Sequence, residues 1–113
     1  GREKHFGREN LIKYNKVIRD KIPEIIADSG KKYSIKQLDE VSFLAEIEKK
    51  LIEEVNEYTE SKDVEELADL LEVIYRIAEL MGVNSDELDE IRKDKAEKRG
   101  KFASNLFLID AEK

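Results

Sequence analysis

This sequence contains no cysteine and no tryptophan, and it has one proline, one histidine and five glycines among 113 residues. Without cysteine there can be no disulfide framework, no thiolate zinc site and no cysteine nucleophile, so any chemistry must use oxygen and nitrogen groups. Scarce proline and glycine, together with 42% charged and 40% hydrophobic residues, are typical of a strongly helical protein. The composition therefore predicts an all-α fold.

Long apolar runs are also missing. No stretch approaches the length of a membrane span, and the first ten residues lack the apolar core of a signal peptide, so we expect a cytoplasmic protein without a membrane partner. The formal charge of −6 disfavours general nucleic-acid binding. We expect residues 1–13 to be an N-terminal tail, in part introduced by cloning, and residues 14–113 to be one domain. We assign His5, which lies in this tail, no catalytic role.

Capping signals divide the domain into helices. Pro23 suits the first turn of a short helix, Asp39 and Asp63 can each cap a longer one, and Asn84 with Glu87 has the capping-box pattern. The expected helices are a short one ending near Gly30 and three longer ones over residues 40–60, 63–81 and 85–99. The two-residue turn between the first two long helices predicts that they are antiparallel neighbours.

Two weaker patterns predict a short peripheral β-hairpin. Residues Tyr33–Leu38 alternate weakly between polar and apolar side chains, which favours a short strand. The apolar run Leu106–Ile109 is expected to pack as a strand against that segment or against a second subunit.

Two acidic doublets carry the main functional hypothesis. Glu54 and Glu57 lie on the first long helix, and Glu66 and Asp69 on the second, each pair three residues apart. Residues at that spacing are about 60° apart around a helix, so each doublet projects from one side. Two facing doublets would form an all-oxygen cage of the kind that Mg²⁺ prefers. On the helical wheel Glu53 points away from the apolar stripe and is expected at the surface.

Ordinary explanations stand beside this hypothesis. A charge run on a helix is usually a solvated face, and the third position of a capping box by itself explains Glu66. The second long helix is apolar over much more of its surface than a half-exposed helix needs, which an oligomer interface would explain without any chemistry.

Two groups of basic residues are candidates for binding phosphate groups. Each residue has the alternative of pairing with a nearby acid, as Lys95 could with Asp94 or Glu97. The candidates are Lys16, Arg19 and Lys21 near the N-terminus and Arg92, Lys95 and Arg99 on the last helix.

The segments that carry the acids also resemble a known family. Lys50–Glu57 (KLIEEVNE) and Glu65–Glu72 (EELADLLE) are similar to the E-E-x-x-E and E-x-x-D signature of the MazG-like, all-α nucleoside triphosphate pyrophosphohydrolases, relatives of the phosphoribosyl-ATP pyrophosphohydrolases. Tyr14–Pro23 (YNKVIRDKIP) and Lys95–Phe102 (KAEKRGKF) resemble the opening and closing segments of one small subgroup. The eight-residue spacer between the doublets is shorter than in many members.

The resemblance implies an antiparallel helical bundle completed by oligomerisation, as a homodimer or a homotetramer. It implies that Glu54, Glu57, Glu66 and Asp69 hold Mg²⁺, with Mn²⁺ as an alternative ion, and that a nucleoside triphosphate is cleaved to a monophosphate and pyrophosphate. Either Glu54 or Glu57 would accept the proton from the attacking water. The alternatives are a substrate resembling phosphoribosyl-ATP and a non-catalytic acidic interaction module.

Overall fold

The computed structural model describes residues 11–113, so His5 and most of the expected N-terminal tail lie outside the described part. The described chain forms four helices. They are α1 (Ile22–Asp28), α2 (Glu40–Ser61), α3 (Val64–Leu80) and α4 (Ser85–Arg99). The all-α prediction is confirmed for these residues, and the predicted helix bounds differ from the observed ones by only one or two residues.

The capping residues explain where the long helices begin. The Asp39 carboxylate accepts a hydrogen bond from the Ser42 backbone N–H at 2.8 Å, which satisfies one of the free donors of the first turn of α2. Asn84 and Glu87 form a complete capping box at the start of α4. Lys62 adopts a left-handed conformation with φ of 57°, which ends α2 and turns the chain into α3.

Helices α2 and α3 form the main contact of the fold, and α4 packs more lightly against α3. Ile47 of α2 and Val73 of α3 are buried in the seam between them, and Ala78 is buried near the end of α3. The apolar spacing of α2 brings Leu44, Leu51 and Tyr58 to the same side as Ile47. The fold is therefore an antiparallel helix pair with a third long helix against one end.

The predicted β-hairpin is wrong for the chain on its own. No strand occurs among residues 11–113, and the segment over residues 31–39 is irregular. Tyr33 and Ile35 are exposed, and all side chains over 106–109 are almost fully exposed, so neither segment provides a partner for the other. A strand needs a neighbour for its backbone groups, and a weak alternation does not supply one. Packing of this tail against a second subunit stays a prediction.

None of the helices in the described part is both long enough and apolar enough to cross a membrane.

Candidate metal centre

Five carboxylates from α2 and α3 lie together on one side of the helix pair. Two groups of three each offer oxygen atoms within 4.8 Å of one another, and Glu54 belongs to both groups. We call these five residues the carboxylate cluster. Its members are Glu53, Glu54, Glu57, Glu66 and Asp69. The prediction that the two acidic doublets converge is therefore confirmed.

Glu54 is the buried member of the cluster. It is only 4% exposed, although it is charged and the protein has few other buried side chains. Lys50, one turn earlier on α2, approaches one Glu54 carboxylate oxygen at 2.9 Å. The other oxygen, Oε2, is buried and has no hydrogen-bond partner. A buried carboxylate oxygen without a partner costs free energy, so the position calls for a further positive or donating group.

Glu66 carries the second unpartnered oxygen of the carboxylate cluster. Its Oε2 atom is buried and accepts no hydrogen bond. The capping-box explanation for this residue is not supported, because the Asp63 side chain accepts from the Glu65 backbone N–H at 3.0 Å and no return bond from Glu66 is formed. Glu87 at the start of α4 does make that return bond, at 3.3 Å. Glu66 therefore belongs to the carboxylate cluster rather than to the cap of its helix.

The N-terminal basic segment, residues 13–21, reaches the same cluster. Lys16 donates to Glu53 at 3.2 Å, and Arg19 donates to Asp69 at 2.7 Å. These ion pairs connect residues 37 and 50 positions apart in sequence, so they hold the segment over the helix pair. Because all four side chains are at least one-third exposed, each pair contributes at most about 1 kcal/mol. The bases can therefore exchange these partners for a ligand.

Like charges and burial raise two pKa values in the cluster. The pKa of Glu57 is raised mainly by the negative charge of Glu54, with desolvation as the next cause. The pKa of Glu66 is raised first by desolvation and then by the charges of Glu57, Asp69 and Glu54. The pKa of Glu53 is lowered instead. Desolvation raises it, but the hydrogen bonds from Lys16 and Lys50 lower it by more. The excess negative charge is thus concentrated on the Glu57 and Glu66 side of the cluster.

The raised pKa of Glu66 predicts that metal-free wild-type protein loses stability relative to a Glu66→Gln variant as the pH rises. A carboxyl whose folded-state pKa lies above its ordinary value of 4.5 destabilises the fold once it must ionise, so its penalty is absent below 4.5 and grows as the pH rises through the folded pKa. In EDTA, the Tm of Glu66→Gln relative to wild type should therefore increase between about pH 4 and pH 7. Thermal melts across this range provide the measurement. The control is Glu65→Gln, an exposed acid in the same helical turn, and an equal change in both variants would contradict the prediction.

Glu53 was missed by the sequence reasoning. The helical wheel predicts it at the surface, but it is only partly exposed and forms ion pairs with both Lys16 and Lys50, the latter at 3.3 Å. The helical wheel of α2 could not show that the N-terminal basic segment covers this side of the helix. The signal that could have found it is the adjacent pair of acids in the sequence, Glu53 and Glu54, beside a lysine one turn earlier.

The other predicted phosphate-binding residues are not brought to the cluster within one chain. Arg92 donates to Asp89 on its own helix at 2.8 Å. In the part of the chain that is described, no ion pair connects Lys21, Lys95 or Arg99 to any of the five carboxylates. Helix α4 contacts α3 and not α2. A role for these four bases in binding phosphate stays a prediction.

The residues present fit a hard divalent cation. All potential ligand atoms are carboxylate oxygens, and two of them are buried without a partner. Three bases, Lys16, Arg19 and Lys50, face five acids, which leaves an excess of two negative charges when all are ionised. Oxygen-only ligand sets suit Mg²⁺, Mn²⁺ or Ca²⁺ rather than a soft metal. A divalent ion would balance this excess charge.

No known protein family model matches this chain, and no curated protein or solved structure matches it either. The functional inference therefore depends on the residues themselves.

Proposed function

We propose that this protein is a Mg²⁺-dependent nucleotide pyrophosphohydrolase that cleaves a nucleoside triphosphate between the α and β phosphates. The observation that supports this most strongly is the buried Glu54, with one oxygen unpartnered, inside a cluster of four other carboxylates. A solvated acidic face would keep its carboxylates in water, so the burial of this residue favours a bound cation. The similarity of KLIEEVNE and EELADLLE to the MazG-like signature supplies the reaction class.

The ion and the protein would contribute different parts of the chemistry. When bound, Mg²⁺ would neutralise charge on the phosphate oxygens and lower the pKa of a coordinated water. Lys16 and Arg19 would bind the phosphate groups, since they already lie at the edge of the cluster. Their present pairing with Glu53 and Asp69 supports a role in which they exchange carboxylate oxygens for phosphate oxygens.

Glu57 is the better candidate for the proton acceptor. Glu54 is tied to Lys50 at 2.9 Å, whereas no basic side chain in the described part pairs with Glu57. Its pKa is raised by the adjacent charge of Glu54, which makes it a stronger base than an ordinary carboxylate. Glu54 would then be mainly a ligand residue, and Glu57 would accept the proton of the attacking water.

Assembly and location follow as part of the same proposal. The MazG-like resemblance favours a homodimer or a homotetramer, and the many exposed apolar side chains of α2 and α3 support self-association. The cytoplasm would supply the nucleotide substrates. The bundle formed by the chain is then the MazG-like type, with its core completed by another copy.

Pyrophosphate release from a panel of common and modified nucleoside triphosphates, with and without Mg²⁺, tests the function. We expect metal-dependent release with monophosphate as the second product, and a loss of at least about 100-fold in both Glu57→Gln and Asp69→Asn. Glu72→Gln is the matched control, because Glu72 is an exposed acid on α3 outside the cluster. Circular dichroism should show that all three variants are folded.

The outcomes separate the alternatives. Release only from phosphoribosyl-ATP would keep the reaction and change the substrate. Absence of release from every compound, together with no Mg²⁺-induced rise in Tm, would contradict the proposal and favour an acidic interaction module. Full Mg²⁺-dependent activity in folded Glu57→Gln and Asp69→Asn would remove the carboxylate cluster from the mechanism.

A further inference from the structure

The N-terminal basic segment is attached to the helix pair by few contacts. In the described chain, the hydrogen bonds that join it to α2 and α3 are the two made by the side chains of Lys16 and Arg19. Within residues 11–21 only Val17 is partly buried, and the other residues are exposed. Helix α1, which follows the segment, contacts none of the other three helices of the described part. A segment held this lightly can detach without unfolding the helix pair.

Both attachments use carboxylates that would also hold the divalent cation. The Arg19 Nη2 atom lies 2.7 Å from Asp69 Oδ1, and Asp69 belongs to one of the two groups of three that can hold an ion. The Lys16 Nζ atom lies 3.2 Å from Glu53 Oε1, and Glu53 belongs to the other group. The segment therefore brings one positive charge to each group.

The charge of the cluster depends on whether the segment is attached. With Lys16, Arg19 and Lys50 beside the five carboxylates, the excess is two negative charges when all groups are ionised. With the segment detached only Lys50 remains, and the excess rises to four. A divalent cation is attracted more strongly to the detached form, and in the attached form it would be repelled by two nearby bases.

We propose that the N-terminal basic segment competes with a divalent cation for the carboxylate cluster, so that the attached segment weakens ion binding and the bound ion loosens the segment. Because linkage is reciprocal, the two effects are the same factor. An exposed ion pair changes an equilibrium by at most roughly five-fold, which limits the factor for two pairs to about 25-fold. This inference rests on the metal ion of the proposed function and not on the hydrolytic reaction.

Removal of the Arg19 guanidinium tests the competition. Arg19→Met should lower the dissociation constant for Mg²⁺, measured by calorimetric titration without nucleotide, by at least about three-fold. Lys13→Met is the matched control, because Lys13 is an exposed base of the same segment and forms no ion pair within residues 11–113.

Other roles for Arg19 predict different results in this titration. If Arg19 only holds the metal centre in shape, its loss should weaken Mg²⁺ binding. If it only binds phosphate, its loss should leave the binding of Mg²⁺ alone unchanged. Either result, or an equal effect of Lys13→Met, would overturn the proposal.

The reciprocal effect can be measured on the segment itself. The chain has no cysteine, so Val17→Cys introduces a single thiol at the partly buried position of the segment, and Ile35→Cys introduces one at an exposed position outside it. Saturating Mg²⁺, which is too hard to bind thiols well, should speed alkylation at residue 17 by at least about three-fold and leave residue 35 unchanged. Equal rates with and without Mg²⁺ at residue 17 would contradict the competition.

The inference and the proposed function fail in distinguishable ways. No binding of Mg²⁺ to wild-type protein would overturn the metal centre and this inference together. Binding of Mg²⁺ that loosens the segment, without hydrolysis of any nucleotide, would overturn the proposed function and support the inference.

Discussion

Glu54→Gln should abolish the stabilisation of this protein by Mg²⁺ or Mn²⁺ and should reduce pyrophosphate release by at least about 100-fold. Glu54 belongs to both groups of three carboxylates that can hold an ion, so neither group remains complete without it. Among residues 11–113 it is also the most buried charged residue, and one of its carboxylate oxygens is buried without a hydrogen-bond partner. The amide keeps the shape of the side chain but supplies only one neutral oxygen, which is a weaker ligand than a carboxylate.

Thermal melts with increasing Mg²⁺ or Mn²⁺ measure this effect directly and do not depend on knowing the substrate. At an ion concentration one hundred times its dissociation constant, wild-type protein should gain about 2.7 kcal/mol of stability, and Glu54→Gln should gain almost none. Glu60→Gln on the same helix is the control for a loss of charge at an exposed site outside the carboxylate cluster. An unchanged ion-induced shift in Glu54→Gln would show that the ion binds elsewhere or not at all.

The helices were predictable because their signals are local. Caps at Asp39, Asp63 and Asn84 fix where each long helix begins, and the apolar spacing fixes which side of α2 meets α3. The convergence of Glu54 with Glu66 followed from the same periodicity and the short turn. A sequence with strong capping residues and few glycines leaves little freedom at these positions.

The missed features depend on contacts between distant segments. Glu53 is partly covered by Lys16, which lies 37 residues away in sequence and donates a hydrogen bond to it, and no helical wheel contains that information. The predicted strands failed for a related reason, since Tyr33–Leu38 has strand-like alternation but no segment lies beside it to form a ladder.

Lys50→Met should destabilise the metal-free protein by about 2–4 kcal/mol, since it would leave Glu54 as a buried carboxylate without its pairing cation. Lys50 approaches Glu54 at 2.9 Å and Glu53 at 3.3 Å, and both the Lys50 and the Glu54 side chains are mostly buried. These two charges raise the pKa of Lys50 in spite of the opposing desolvation, so the ammonium form is the one that stabilises the fold. Methionine retains most of the apolar stem, which isolates the loss of charge.

Urea unfolding in EDTA measures this loss, and the adjacent Lys49→Met is the matched control. Lys49 makes an exposed pair with Glu46 at 3.0 Å, so its replacement should cost less than about 1 kcal/mol. The double variant Lys50→Met/Glu54→Gln should recover most of the lost stability, because it removes the unpaired charge. Mg²⁺ should also stabilise Lys50→Met by more than it stabilises wild type, as the ion then supplies the only strong positive charge beside Glu54. Equal costs at the two lysines, or no recovery in the double variant, would mean that Lys50 does not compensate the buried carboxylate.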